Sequence, residues 1–418
     1  MQRKDNRGRI LNTNEYQAKD GRYRFDYVKD GKVISIYSWR LVDSDAQPKG
    51  TRRKESLRTL EKKIHDAEVA GEDYRAVNKV TLNDLVDQYL DTKDIKQSTL
   101  TNYRYMYDSW VRNSYGRKLL KDIDYLNLKA FYKQLLNGNL AVNTLEVIQN
   151  VIHPALTNAV RARIISFNRA DNIIRDIKKE VHYSKPKRHA LTIAQQNALL
   201  DYVSASTMYS HWLPIITLLL GTGCRIGELA GLCWKDVDFD EGLICVGRSL
   251  TYRPDKDNKS RFHTSTVKTE AGVRQIPMFV EVRKTLQELY DHQKNNGFCT
   301  KEIDGTSGFI LSGRFGNVIN GRNINSALYR IRDSYNKEEL RRAEEEKRKA
   351  LLLPDKISCH VMRHTFCTRL CEQTDSIDVI MYTMGHSDIR TTMEIYNEVQ
   401  AEKKRRTFNN IDGTFRLR

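Results

Sequence analysis

The sequence predicts a multidomain chain: a small N-terminal β-sheet plus helix, an all-α region, and a mainly helical α+β domain. Three observations support this fold class. First, 418 residues are too many for one compact core and indicate several domains. Second, the alternation of apolar and polar residues that is typical of strands lies near the N-terminus, and helical periodicity follows it. Third, helical and strand patterns are mixed from Leu191 onward.

The amino-acid composition is that of a folded, basic protein. Hydrophobic residues make up 39% of the chain and charged residues 29%, which argues against wholesale disorder. Lys and Arg number 70 against 53 Asp and Glu, so the formal net charge is +17, and the excess is spread along the chain. Such a surplus favours a polyanionic partner, nucleic acid before a membrane surface, although many proteins are basic without one.

The sequence carries no pattern that predicts export or membrane insertion. Its longest apolar run, Trp212 to Leu220, is far shorter than the ~20 residues that span a bilayer. The charged start is not followed by an apolar stretch, so we expect no signal peptide. Seven cysteines without disulfide-like spacing indicate a reducing environment. We therefore expect a cytoplasmic protein with no membrane partner.

Residues 1–75 are predicted to form a small basic domain, a three-stranded sheet plus helix. The first 63 residues carry 17 Lys and Arg against 9 Asp and Glu. Alternation of Tyr23, Phe25 and Tyr27 with polar residues predicts a strand. Asp30-Gly31 predicts a hairpin turn, and Val33 to Leu41 the returning strand. An amphipathic helix is indicated by the helical spacing of Leu57, Leu60, Ile64 and Ala67. A β-ribbon of this size can enter the major groove of DNA, and the alternative is a structural module with a solvated basic face.

Residues 80–185 are predicted to form a helical domain. Gly71 to Lys79 has the composition of a linker, and Thr81 with Asp84 resembles a capping box at the start of the next helix. Asn172 to Arg188 is predicted to be a basic linker. The remaining helical patterns run over Ser98 to Asn113, Tyr125 to Leu136 and Asn143 to Arg163.

Residues 190–400 are predicted to form the α+β domain, followed by a basic tail at 401–418 with a strand-like end, Thr414 to Arg416. The charged stretch Lys337 to Lys349 is most simply a solvated helix. Helices are expected from Thr192 and His211 and after Gly321 and Lys356, and strands near Leu243 to Tyr252 and Val273 to Met278.

The segment Thr222 to Leu229 carries the first candidate site residues. The apolar run before it predicts a buried helix, which Gly221 and Gly223 would break while allowing close backbone approach. Arg225 would then stand at a tight turn beside the core, with Glu228 one helical turn later. A planar guanidinium in this position suits two oxygens of one phosphate, although a structural Arg–Glu pair is the alternative.

Two further segments carry candidate histidine, arginine and tyrosine side chains. In Ser358 to Phe366, a helix would place His360 and Arg363 one turn apart on the same face. Farther along, Gly385-His386 is followed by Tyr396.

Zinc binding is an alternative interpretation of the second segment. A single helix cannot easily surround a tetrahedral ion, and the sequence has no paired Cys-x-x-Cys elements there, so we expect core cysteines instead. The residues that suggest zinc, because they lie at near-helical spacings, are Cys359, His360, His364, Cys367 and Cys371.

These motifs together resemble the tyrosine recombinase (phage integrase) family. The resemblance covers at least residues 191–400 and is greatest to the three-domain integrases of conjugative transposons and phages. It implies a site-specific recombinase that cleaves and rejoins DNA through a 3′-phosphotyrosine, and so integrates or excises a mobile element. The motifs, in the order typical of the family, are Thr222-Gly223-x-Arg225-x-x-Glu228, His360-x-x-Arg363-His364-Thr365, Gly385-His386 and the downstream Tyr396.

The resemblance implies Tyr396 as the nucleophile. Arg225 and Arg363 would bind the two nonbridging oxygens of the scissile phosphate, and Glu228 would orient them. The spacing from His386 to Tyr396 is one residue longer than is commonest in the family, and Glu398 stands where a histidine often follows the tyrosine. Tyr382 is the other nearby tyrosine, and we expect it to pack in the core.

The resemblance also implies the proton-transfer groups. Lys268 would be the general acid on a β-hairpin, in competition with Lys256, Lys259 and Arg274 of the same region. His360 would help to deprotonate the attacking phenol or would bind the phosphate, and His386 would bind a phosphoryl oxygen. Neither ATP nor a metal cofactor is expected, because the bond energy is kept in the phosphotyrosine ester.

The implied partner is double-stranded DNA. Residues 1–75 would bind arm-type sites, residues 80–185 the core site, and residues 190–400 would carry out catalysis. A homotetramer is implied, with the tail docked on a neighbouring subunit, as is an accessory excision factor. Two rival functions are a type IB topoisomerase, disfavoured by the separate basic N-terminal sheet, and a DNA-binding regulator that has lost catalysis, disfavoured by the full set of catalytic residues.

Overall fold

The computed structural model divides the chain into two compact units, Met1–Lys185 and Pro186–Arg418. Within the residues that are described, no helix is both long enough and apolar enough to cross a membrane. The described residues are 3–29, 31–52, 54–184, 189–254, 259–266, 272–313 and 316–411.

The first unit begins with an antiparallel sheet backed by one helix. The central strand is β2, and its inward side chains pack on the helix, so that Tyr23 and Leu57 share one buried cluster. The helix starts at Ser56, whose side chain accepts the Thr59 amide. Asp30 of the predicted turn lies outside the described residues. The elements are β1 (Glu15–Gln17), β2 (Tyr23–Lys29), β3 (Lys32–Ser38) and α1 (Leu57–Val69).

The returning strand is shorter than the predicted Val33 to Leu41. It ends at Ser38 because the chain then turns toward a side-chain partner: the Leu41 amide donates to the Asp45 carboxylate at 2.8 Å. This bond replaces a ladder partner and turns Leu41 into the core, where it is 0% exposed.

The rest of the first unit is helical. The predicted capping box opens α3, because the Thr81 amide donates to Asp84 Oδ2 at 2.8 Å and the Asp84 amide donates back to the threonine hydroxyl at 3.2 Å. A single π-helical turn, Asp108–Arg112, continues α4. The helices are α2 (Tyr74–Val77), α3 (Leu82–Thr92), α4 (Gln97–Tyr107), α5 (Tyr125–Asn137), α6 (Val142–Arg161) and α7 (Ile173–Glu180).

Both segments predicted as linkers contain a helix. Within Gly71 to Lys79, the Asp73 carboxylate accepts two amides of the following turn and so starts α2. Within Asn172 to Arg188, Ile173 and Ile177 lie four residues apart, and both are 0% exposed in α7. One buried pair is enough to dock an otherwise basic helix, which is why composition alone was misleading there.

The second unit mixes helices with two small antiparallel sheets. The predicted strand from Leu243 to Tyr252 is two strands, because the chain leaves one sheet at Gly247 and enters the other. The sheet orders among the described strands are β4-β5-β8 and β6-β7. The strands are β4 (Val237–Asp238), β5 (Leu243–Val246), β6 (Arg248–Pro254), β7 (Ser260–Thr266) and β8 (Arg274–Pro277).

An apolar helix, α9, lies in the core of the second unit and packs against α11 and α13. Residues 401–411 continue α15, so this part of the predicted tail is helical, and Thr414 to Arg416 lie outside the described residues. The N-terminal sheet with its helix, the helical region that follows and the mixed second unit together confirm the predicted multidomain fold class. The helices are α8 (Ile193–Ala205), α9 (Leu213–Thr222), α10 (Ile226–Ala230), α11 (Val280–Asn296), α12 (Gly321–Glu345), α13 (Cys359–Gln373), α14 (Ile377–Met384) and α15 (Ile389–Ile411).

Candidate active site

Two glycines shape the turn that presents Arg225. Gly221 was predicted to break α9, but it lies inside this helix. A Cβ there would stand 2.4 Å from the Val282 side chain, so this glycine permits close packing instead. Gly223 ends α9 with a φ of +60°, and a Cβ there would stand 2.2 Å from the Phe366 ring. Arg225 follows as the N-cap of α10.

Glu228 holds Arg225 from one helical turn away. Arg225 Nη1 donates to Glu228 Oε1 at 2.7 Å, and the Arg225 backbone amide donates to Oε2 at 2.9 Å. The Arg225 side chain is nevertheless 47% exposed, whereas that of Glu228 is 4% exposed. The turn therefore keeps a guanidinium accessible while its carboxylate partner is buried.

Three arginines from separate elements bond to three consecutive carbonyls at the C-terminal end of α14. Carbonyls at a helix C-terminus lack intrahelical partners and carry the negative end of the helix dipole, so guanidinium groups suit them. Gly385, with a φ of +61°, ends this helix. The bonds run from Arg274 Nε to Thr383 O (2.7 Å), from Arg363 Nη2 to Met384 O, and from Arg225 Nη2 to Gly385 O (3.0 Å).

Glu228 is also the shared carboxylate of these arginines. It accepts from Arg274 Nη2 at 2.9 Å and lies 4.0 Å from Arg363 Nη1. Burial opposes ionisation of the carboxyl, but the charge and hydrogen bond of Arg274, together with the bonds from Arg225, lower the Glu228 pKa. One carboxylate therefore faces three guanidinium groups, which leaves an excess of positive charge.

Four of the predicted site residues meet at one open cavity of about 170 Å³. Burial, and then the charge of Arg225, lower the Arg363 pKa to about 10, so this guanidinium is charged at neutral pH. Two guanidinium and two imidazole groups around one opening suit a phosphoryl group. Among the described residues the lining is Arg225, His360, Arg363, His386, Ser387, Asp388 and Thr391.

The two histidines reach this cavity from different directions. His360 and Arg363 lie in the first turns of α13, and both line the cavity. His386 follows α14, and its Nδ1 hydrogen-bonds with Thr392 Oγ1 at 2.9 Å. Burial and the nearby charges, Arg363 first, lower the His386 pKa to about 4, so the ring is neutral at pH 7.

Tyr396 is not among the residues that line the cavity. Its hydroxyl donates to Asp375 Oδ1 at 3.4 Å. Asp375 Oδ1 also accepts from Gln400 Nε2 at 2.9 Å. The ring packs against a buried cluster of α13, α14 and α15 that includes Phe366. Burial and the Asp375 carboxylate raise the pKa of the Tyr396 phenol. Lys268, the predicted general acid, lies outside the described residues. The expectation that Tyr382 packs in the core was wrong: it is 54% exposed, and its hydroxyl accepts the Gln275 amide at 3.2 Å.

Sequence reasoning missed two residues that support the site. Arg274 was considered only as a rival to Lys268, yet it lies on the buried side of β8 with Ile276, while Gln275 between them is exposed. A charged residue at an inward strand position signals a buried ion pair, and this alternation was visible in the sequence. Asp375 lies in a loop, and no sequence pattern marked it.

The cysteines of α13 lie in the core. Cys359, Cys367 and Cys371 are all buried, as expected. Within the described ranges, no three His, Cys, Asp or Glu side chains are grouped as metal ligands would be.

The outer face of the N-terminal sheet carries a row of aromatic and basic side chains. Tyr16, Arg24 and Tyr37 are neighbours across the three strands. Arg24 lies over the Tyr16 ring, 4.7 Å from its centroid, and Arg3 lies over the same ring at 4.4 Å. Arg22 lies over the Tyr37 ring at 5.3 Å. Stacking of this kind orders guanidinium groups on an open surface.

The fold and the site define an enzyme of the tyrosine recombinase class. Residues 189–403 match the phage integrase family, and residues 1–68 match the DNA binding domain of tn916 integrase. The first match covers more than half of the chain and includes the cavity, the three arginines and Tyr396. The chain therefore belongs to the phage integrase family and is a site-specific tyrosine recombinase that acts on DNA, which confirms the predicted family and enzyme class.

Curated relatives extend over nearly the whole chain. The transposase from transposon Tn916 of Enterococcus faecalis is 29% identical over 415 residues, which are 96% of each chain. The integrase of Staphylococcus phage L54a is 25% identical over 364 residues, covering 83% of this chain and 96% of that one.

Solved structures show the same fold. The Tn1549 transposon integrase in complex with transposon right end DNA matches with a TM-score of 0.67 and 26% identity, covering 78% of this chain and 99% of that one. A lambda integrase tetramer bound to a Holliday junction matches with a TM-score of 0.53 and 16% identity, over 93% of this chain and 95% of that one, a likeness of fold alone.

Proposed function

We propose that this recombinase cleaves and rejoins DNA through a covalent 3′-phosphotyrosine formed by Tyr396. The observation that carries the proposal is the meeting of Arg225, His360, Arg363 and His386 at one cavity. A scissile phosphate bound there presents its two nonbridging oxygens to the two guanidinium groups. The reaction then requires that the phenol reach the phosphorus and that two protons be transferred.

The cleavage step forms one ester bond and breaks another. The Tyr396 oxygen bonds to phosphorus as the bond from phosphorus to the 5′-oxygen breaks, and the 3′-phosphate remains on the tyrosine. His360, exposed at the cavity, takes the phenol proton, and Lys268 gives a proton to the departing 5′-oxygen. Religation is the reverse. Because the energy of the phosphodiester bond is kept in the phosphotyrosine ester, the proposed reaction requires neither ATP nor a metal cofactor.

The arginines supply most of the charge stabilisation. Negative charge grows on the nonbridging oxygens in the transition state, and a preorganised donor at such a position contributes about 10²–10³-fold in rate. Glu228 and the carbonyls at the end of α14 already hold Arg225 and Arg363, so little rearrangement is needed when DNA binds.

His386 acts as a neutral hydrogen-bond donor. Its pKa of about 4 keeps the ring uncharged at pH 7. In this tautomer, Nδ1 accepts a hydrogen bond from the Thr392 hydroxyl and the ring proton is on Nε2. The Nε2–H group then donates a hydrogen bond to a phosphoryl oxygen.

We further propose a division of DNA binding along the chain. Residues 1–75 bind arm-type sites through the aromatic and basic row on the sheet, residues 80–185 bind the core site, and residues 190–400 carry out catalysis. The match to the DNA binding domain of tn916 integrase supports the first assignment. The end of the chain, 401–418, docks on a neighbouring subunit.

The substrate is the DNA of a mobile element, which the enzyme integrates, excises or both. Relatives named as a transposase of Tn916 and a phage integrase support this assignment. A homotetramer on two duplexes is the working assembly, as in the lambda integrase tetramer bound to a Holliday junction. An accessory excision factor, and a cytoplasmic, nucleoid-associated location, complete the proposal.

Covalent trapping tests the proposal. The wild type is incubated in EDTA with a nicked duplex made from the joined ends of the DNA element that carries this gene. Wild type and Tyr382→Phe, the matched control, should form a denaturation-resistant adduct. Tyr396→Phe should form none while binding the duplex equally well.

The other outcomes are equally informative. An adduct with Tyr396→Phe would show that another residue is the nucleophile. A wild type that never forms an adduct on its genuine site would be a regulator without catalysis. Relaxation of plasmids that lack the site would indicate a topoisomerase instead.

A further inference from the structure

Arg274 is a fully buried arginine next to the active site. Its side chain is 0% exposed, and it is not among the residues that line the phosphate cavity. It donates to Gly272 O at 3.2 Å and to the first of the three consecutive carbonyls of α14. Its charge is balanced by Glu228, at 2.9 Å. The guanidinium therefore joins β8, α10 and the end of α14.

Arg274 competes with the catalytic arginines for one carboxylate. Glu228 Oε2 accepts from Arg274 and from the Arg225 backbone amide, and Arg363 Nη1 lies 4.0 Å from the same oxygen. Without Arg274, the described residues that pair with this buried negative charge would be Arg225 and Arg363. Both guanidinium groups would then be drawn toward the carboxylate and away from a bound phosphate.

We propose that Arg274 is a positioning residue for the strand-cleavage reaction: it neutralises Glu228 and so leaves Arg225 and Arg363 available to the scissile phosphate. This inference rests on the proposed function of the cavity. Arg274 does not itself contact the phosphate, and its effect on the rate is exerted through the two arginines that do.

The test combines charge-changing variants with charge-changing DNA. Arg274→Met removes the buried charge, and Arg274→Met with Glu228→Gln removes both members of the pair. Each protein is assayed for single-turnover cleavage of the nicked duplex described above. A second duplex carries a methylphosphonate at the cleaved linkage, which removes the negative charge that the arginines must stabilise.

Arg274→Met should cleave the ordinary phosphodiester about 10- to 100-fold more slowly than the wild type. This loss is smaller than the about 10²- to 10³-fold loss that removal of a direct phosphate donor causes. The double variant should recover part of that rate, because the uncompensated carboxylate is gone and the carbonyls of Gly385 and Met384 still hold Arg225 and Arg363. On the methylphosphonate duplex, Arg274→Met and wild type should differ by less than about threefold. Neither recovery nor substrate dependence is expected if Arg274 only stabilises the fold.

Arg169 provides the matched control. It is also buried, donates to the carbonyls of Leu120 and Ile123, and pairs with Glu72. Arg169→Met should lower the melting temperature without distinguishing the two duplexes.

A wild-type rate for Arg274→Met, a double variant as slow as the single one, or an equal loss on both duplexes would overturn the inference. If Arg274→Met does not fold, the double variant still decides: once Glu228 is neutral, removal of Arg274 should leave the rate of Glu228→Gln unchanged, and a further loss of rate would overturn the inference. Failure of the proposed function is a separate result, in which the wild type itself forms no adduct.

Discussion

Replacing Glu228 by glutamine should destabilise the second unit by about 3–5 kcal/mol, the usual cost of leaving a buried charge unpaired. The substitution keeps the shape of the side chain but removes the charge that three guanidinium groups share. The side chains of Arg274 and Arg363 are 0% and 4% exposed, so neither can turn to water for compensation. In addition, the amide nitrogen of glutamine would face a guanidinium donor, which satisfies neither group.

Scanning calorimetry of the full chain measures this effect. For a unit of this size each kcal/mol shifts the melting temperature by about 2–4 °C, so the transition should move down by roughly 6–20 °C. The control is Glu345→Gln, whose partner Arg341 lies on the surface of α12 with both side chains at least 60% exposed. Such a pair contributes about 0–1 kcal/mol. A Glu228→Gln protein that melts within about 2 °C of the wild type would refute the reasoning.

Three further predictions concern the same unit. As pH falls from 6.5 to about 4, the unfolded chain protonates His386 but the folded chain does not. Urea titrations should therefore show the wild type losing about 3 kcal/mol relative to His386→Gln, and a constant difference would contradict this. Gly223→Ala, at a φ of +60°, should cost at least about 1–2 kcal/mol in the same titrations, whereas Gly247→Ala, with no atom within 4 Å of the new Cβ, should cost less. Asp375→Asn should speed adduct formation roughly two- to fivefold, because the carboxylate that accepts the Tyr396 hydroxyl and raises its pKa is removed. A slower reaction would instead identify Asp375 as the base.

Local sequence patterns predicted the placement of three residues that line the cavity, and the family resemblance named the fourth, His386. Helical spacing placed His360 and Arg363 on one side of α13, and a glycine with a positive φ placed Arg225 at a turn beside the core. These are local consequences of helix geometry, so they can be read from short segments. Fold class followed from periodicity in the same way.

The unpredicted parts depend on contacts between distant segments. The bond from Tyr396 to Asp375 joins α15 to the loop before α14, and the bond from Arg274 to Glu228 joins β8 to α10. Neither pairing leaves a local pattern. The switch of sheets at Gly247 was missed for a related reason, because the residue pattern of a strand does not tell which neighbouring strand each half will pair with.

The anchoring of the three arginines on carbonyls of α14 has a consequence for when DNA is cut. The guanidinium groups proposed to bind the phosphate are held in place without DNA, whereas the hydroxyl of Tyr396, on α15, is bonded to Asp375. In the proposed mechanism, cleavage therefore requires the Tyr396 hydroxyl to leave Asp375 and reach the phosphate, although α15 already borders the cavity through Thr391. Such an arrangement would limit strand breaks at unrelated chromosomal sequences, because the nucleophile is kept away from the phosphate-binding groups until the enzyme reaches its own site.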